Sequence, residues 1–135
     1  MGHVCVDAVL VGPRGQMELR GVLVDTGATY TMLEEDKLLA VGALGPLTAN
    51  VELGDGRVVE ARIYMAKLRI GDREAPILAA TFPGVREVIG VQALEALGLK
   101  VNPTTGELEA SRPSDTAYFY QSNAPLNRYP GGVLG

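Results

Sequence analysis

Asp25 ends the apolar run Val22-Leu23-Val24 and opens a Thr26-Gly27-Ala28 turn in the stretch GVLVDTGATYTML, Gly21 to Leu33. A lone carboxylate set behind a buried strand is costly unless it is paired or used, so Asp25 reads as a charge with a partner or a task. Few other side chains compete for chemistry. His3 is the only histidine, which removes His-based triads and argues against a His-rich metal site; it reads as a solvated strand residue. Cys5 is the only cysteine, and its place between Val4 and Val6 reads as a buried thiol rather than a nucleophile. Glu34, Glu35 and Asp36 could be metal ligands, but acids at the positive end of a helix dipole are the commoner case. Gly54-Asp55-Gly56 lacks the strand-to-helix context and the lysine of a phosphate loop. No metal or cofactor is expected.

The elements that must position Asp25 are mostly strands. Val4 to Val11 and Met17 to Val24 form a hairpin about Gly12 to Gly15. LEEDKLLAVGAL predicts a short helix with early acids, stopped by Gly42. Leu47 to Leu53 and Val58 to Ile70 predict a second hairpin, with the turn at Gly54 to Arg57. In its second arm Val59, Ala61, Ile63 and Met65 alternate with Val58, Glu60, Arg62 and Tyr64, which predicts one wetter face. A turn at GDRE, strands at Ile77 to Phe82 and Val85 to Ile89, and a break at Pro83-Gly84 follow. Gly90 leads into a helix over VQALEALG with Gly98 as its cap, and a closing hairpin turns at Asn102 to Gly106. The whole predicts a mainly β domain over 1–110 with one or two short helices. From Ser111 the composition shifts to Pro, Ser, Asn and Gly with most of the aromatics, so 111–135 reads as a tail.

With 135 residues the chain fits one domain with a sizeable core. Hydrophobic residues make up 47% and charged residues 21%, a globular balance. A net charge of −4 offers no basic field, which argues against nucleic-acid and anionic-membrane partners. No apolar run reaches the length of a spanning helix, the first residues lack a leader pattern, and Val6 stands where a myristoylation signal needs Ser or Thr. With one unpaired cysteine, a cytoplasmic setting is the simplest expectation.

Three segments taken together resemble the retropepsin-like aspartic peptidases, in particular their small stand-alone bacterial and archaeal members. VLVDTGATYTMLEED is similar to the family's active-site segment. EVIGVQALEALGL is similar to its second signature, and VELGDGRVVEARIY sits where the family keeps its flap. The resemblance covers about Val4 to Glu109 and implies a closed β-barrel, active as a homodimer on peptide or protein substrates. By it, Asp25 is catalytic, Thr26, Gly27 and Ala28 form the active-site loop, and Gly54, Asp55 and Gly56 tip the flap. Ile89 helps line the pocket, and Gly90 packs beside the loop. Two neighbouring carboxylates can share one proton, one serving as base and the other as acid. This chain has one DTG, so the second aspartate is expected to be Asp25 of another copy, on a two-fold axis. Thr26 is expected to bond across that dimer; its plain alternative is a turn threonine serving its own backbone. Many viral members carry an acid after the Ala and an Arg after the second-signature Gly, where this chain has Thr29 and Val91.

The leading expectation is therefore an aspartic endopeptidase. A non-catalytic peptide-binding or assembly module on the same fold is the alternative, and an assembly subunit using exposed strand edges is a weaker third. The stretch AYFYQSNAPL, within the tail, reads as an extended apolar segment able to dock in its own or a neighbour's cleft, with a plain disordered tail as the alternative.

Overall fold

A computed structural model of the chain describes residues 3–113. The tail expectation for 114–135 lies outside the described residues. Strands take 56% of them and helices 12%, so the protein is mainly β. In chain order the elements are β1 (Val4–Gly12), β2 (Gly15–Val24), β3 (Thr31–Met32), α1 (Glu35–Ala40), β4 (Leu44–Glu52), β5 (Val58–Ile70), β6 (Arg73–Thr81), β7 (Val88–Ile89), α2 (Val91–Leu97), β8 (Leu99–Asn102) and β9 (Glu107–Ala110). Seven strands form one mixed sheet in the order β1-β2-β7-β3-β6-β5-β4, and β8 and β9 form a separate hairpin.

The expected closed barrel is corrected. The sheet curls until β1 meets β5, but only over Val9↔Arg69 to Val11↔Lys67. Strand β4 pairs along the other half of β5 and ends the sheet as a free edge. Its pairing is interrupted between Leu44 and Leu47, around Pro46, which has no N–H to give to a ladder. β7 is also shorter than the strand expected over Val85 to Ile89: Val85 N–H turns back to the Phe82 carbonyl, so Pro83 and Gly84 make a tight loop and pairing starts only at Val88. The two-residue β3 is too short for any sequence period to announce.

The main core is built from Leu10, Leu19, Leu33, Leu38, Leu68 and Ile77, with α2 contributing Ala93, Leu94 and Leu97. A smaller cluster of Val51, Ala61, Ile63 and Ala80 forms separately. Strand β5 serves both clusters. Ala61 and Ile63 belong to the smaller one, and Tyr64, Ala66 and Leu68 to the main core. The expected alternation therefore breaks at the middle of the strand: Tyr64 is buried and Met65 is 48% exposed. The buried side changes because different layers cover the two halves of the sheet, and no bulge is needed, since β5 and β6 stay in register throughout. The Tyr64 hydroxyl donates to Glu35 Oε2, and Arg62 Nε pairs with the same oxygen at 2.9 Å, which ties α1 to β5. Burial, and then the Glu35 carboxylate, push the Tyr64 phenol above its ordinary value.

Gly42 follows α1 with φ 74, and Gly98 caps α2 in the left-handed region, as expected. Two arginines then cover carbonyls at the end of α2. Arg112 donates to Glu95 O and Ala96 O, and Arg73 to Leu97 O, Gly98 O and Arg112 O. Cys5 and His3 are both exposed, which corrects the buried thiol: the even residues Ala8 and Leu10 of β1 face the core. Among the described residues no helix is long and apolar enough to cross a membrane, which says nothing of β-barrels.

Candidate active site

Asp25 leaves the end of β2, where Val24 is the last buried side chain. In this single chain Asp25 is exposed, so the expectation of a costly buried charge is corrected: the strand buries its valines and delivers the carboxylate to the surface. The backbone around it is tightly held. Asp25 N–H donates to Ile89 O at 2.9 Å, and Ala28 N–H to Asp25 O at 3.1 Å. Gly27 N–H donates to Asp25 Oδ1 at 2.9 Å. A Cβ on Gly27 would lie 3.2 Å from that same oxygen, so glycine leaves the carboxylate room.

The second signature staples this loop from below. Val91 N–H donates to Ala28 O at 2.8 Å and Gln92 N–H to Thr29 O at 2.9 Å. Gly90 N–H donates to the buried Thr31 Oγ1 at 3.2 Å. A Cβ on Gly90 would meet Tyr30 O at 2.5 Å and Ala28 O at 2.8 Å. Its φ of −96° is open to any residue, so contact rather than conformation demands glycine there. The Gln92 side chain accepts from Leu78 N–H at 3.0 Å and links the staple to β6.

Two grooves flank Asp25. One, of about 370 Å³, is lined by Asp25, Ala28, Tyr30, Asn50 and Glu52 among others; the second, of about 240 Å³, by Leu23, Asp25, Phe82, Arg86 and Val88 among others. Met32 and Gly54 border both, so the tip of the β4–β5 hairpin lies beside the carboxylate. That tip is a three-residue loop, Gly54 to Gly56. Leu53 N–H closes it onto Arg57 O at 2.7 Å, and Gly56 has φ 88. Asp55 accepts from Arg57 N–H at 3.0 Å and from Arg57 Nε at 2.8 Å. The backbone amide first, and the guanidinium second, hold its carboxyl below the usual aspartate value.

Asp25, Gly27, Ala28 and Gly54 thus come together around one cleft, Asp55 lines its second groove, and Gly90 packs under the loop. Ile89 does not line the cleft. It is fully buried in the main core, and its neighbour Val88 borders the groove. Thr26 is exposed, and its hydroxyl makes no hydrogen bond within the described residues, so the plain turn-threonine reading is not met. Glu34, Glu35 and Asp36 lie outside both grooves. The Glu34 N–H and Lys37 Nζ are taken by Glu87 at 3.0 and 2.6 Å. Among the described residues no group of three His, Cys, Asp or Glu side chains could hold a metal ion. Sequence reading overlooked Thr31, Met32, Glu52, Arg86 and Val88. Each stands at a strand end or in a loop, where no period marks it. Compared with models of known protein families and with curated proteins, the chain matches none.

Proposed function

We propose that this chain is an aspartic endopeptidase of the retropepsin-like type, with a dyad made from Asp25 of two copies. The observation that carries the reading is the exposed Asp25 carboxylate. It lies in a backbone loop stapled by Ile89, Val91 and Gln92 and at the junction of two grooves beside a hairpin tip. Peptide hydrolysis at such a site needs a base for water and an acid for the carbonyl oxygen. The ionised aspartate takes a proton from water as the water oxygen bonds to the carbonyl carbon. The protonated aspartate gives its proton to the carbonyl oxygen. On collapse the newly protonated aspartate gives its proton to the amine nitrogen as the C–N bond breaks, and the other aspartate takes a proton from a hydroxyl of the tetrahedral adduct, so the dyad is again singly protonated.

A second copy of Asp25 suits the acid role better than Asp55 does. The Arg57 contacts that hold Asp55 ionised make it a poor proton donor. Exposure of Asp25 and the unengaged Thr26 hydroxyl leaves both available to a partner across a two-fold axis. The test is cleavage of a mixed peptide library at acidic pH across protein concentration. Specific activity should fall on dilution as dimers dissociate, and Asp25→Asn should remove it, by on the order of 10³-fold or more. Concentration-independent activity would exclude the shared dyad. Peptide binding without cleavage by the wild type would leave a binding module in its place.

A further inference from the structure

The two grooves beside Asp25 carry opposite charges that the fold leaves unused. In the second groove Arg57 is taken by Asp55 at 2.8 Å. Arg86 lines the same groove, is exposed and makes no ion pair within the described residues. The first groove contains Glu52 at the end of β4, likewise exposed and without an ion pair among the described residues. Between these rims each groove mixes polar groups with apolar side chains, Leu23, Met32 and Phe82 in the second groove and Ala28, Tyr30 and Val51 in the first.

We infer that the cleft selects peptides by charge as well as by apolar bulk. Arg86 favours an acidic residue beside the apolar side chain in the second groove, and Glu52 favours a basic residue beside the one in the first. The inference rests on the cleft being a peptide site, as proposed above. It assigns the substrate class as extended segments with an apolar centre and flanking charges of opposite sign. A two-fold dimer would present each groove twice, so the same rule would apply on both sides of the cut bond. Exposed charge pairs are weak and screened by salt, so each preference is expected to be about threefold at low ionic strength and to fade as salt rises.

The experiment uses ten-residue peptides with a Leu-Phe centre and a single Glu, Gln or Lys walked through the other positions. Cleavage by the full chain is read as kcat/KM, and binding to Asp25→Asn is read by fluorescence anisotropy. Some positions should favour Glu and others Lys. Arg86→Gln should flatten only the first set and Arg86→Glu invert it, so that the Glu-to-Lys ratio moves about tenfold. Glu52→Lys should invert only the second set. Arg20→Glu, a charge reversal outside both grooves, should change neither. Charge-blind profiles, or shifts that Arg20→Glu reproduces, would overturn the inference even if cleavage proceeds. Charge-selective binding to Asp25→Asn without cleavage by the wild type would sink the proposed reaction and keep the inference. Absence of both binding and cleavage would overturn the two together.

Discussion

The loop at Asp25 and the hairpin tip at Asp55 are built on the same local motif and end up as different objects. In each, an aspartate Oδ1 accepts the backbone N–H two residues on, Gly27 at 2.9 Å and Arg57 at 3.0 Å. Each is a small Asx-type turn that its own few residues can form. The difference lies in what surrounds them. Asp55 spends its second oxygen on Arg57, and nothing lies within 4 Å of a side chain added at Gly54 or Gly56. The Asp25 loop is clamped by Ile89, Gly90, Val91 and Gln92, and its carboxylate faces two grooves. What sets the Asp25 turn apart is that packed backbone holds it at a cleft, which is what positioning a reacting group requires.

The largest effect should separate the two aspartates by activity. If the Asp25 reading holds, Asp25→Asn removes peptide cleavage, and Asp55→Asn leaves kcat within a few-fold because its carboxylate is already committed to Arg57. Comparable losses in both variants would erase the distinction. Stability should separate the two sets of glycines next. Gly90→Ala forces a Cβ against backbone atoms of Tyr30 and Ala28, which cannot yield cheaply, and should cost about 3 kcal/mol in urea unfolding. Gly54→Ala meets open space at the tip and should change stability by less than about 0.5 kcal/mol. Equal costs would mean that the staple beneath the Asp25 loop is not tighter than the tip.

Thr31→Val sharpens the same point on one hydrogen bond. It preserves shape and leaves the buried Gly90 N–H without its acceptor, an expected loss of about 1–2 kcal/mol measured by the same urea unfolding. A neutral result would show that the N–H finds another partner. The smallest effect concerns pH at the tip. Asp55 has a folded value below its ordinary 3.8, so its contribution is present above that pH and lost as pH falls through the lowered value. The small stability gap between wild type and Asp55→Asn should therefore close as melts are taken from pH 5 to below 3.8. A gap that widens there would contradict the Arg57 contacts.

Much of this fold was legible because local signals agreed. The hairpins at Gly12 to Gly15 and Gly54 to Arg57, the Gly42 and Gly98 helix stops, and the closing hairpin about Asn102 all follow from turn chemistry and short-range period. The misses share one cause. The alternation of β5 groups Tyr64 with Val58, Glu60 and Arg62, yet Tyr64 is buried where those three are exposed, because pattern reveals that a strand has two sides but not which layer will cover each half. Cys5 went the other way for the same reason.

What the sequence by itself determined is the list of parts: an apolar strand ending in Asp-Thr-Gly, a glycine-tipped hairpin, and a Gly-headed short helix, each specified within about ten residues. Only the tertiary structure decided that these parts meet. The contacts that join them span long separations, 59 residues between Thr31 and Gly90 for one hydrogen bond. It also decided that Asp25 faces outward, that Glu52 and Arg86 border its grooves, and that the sheet keeps a free edge at β4. Local propensity acts over a few residues, whereas which groups share a cleft depends on how the sheet curls and what packs on it.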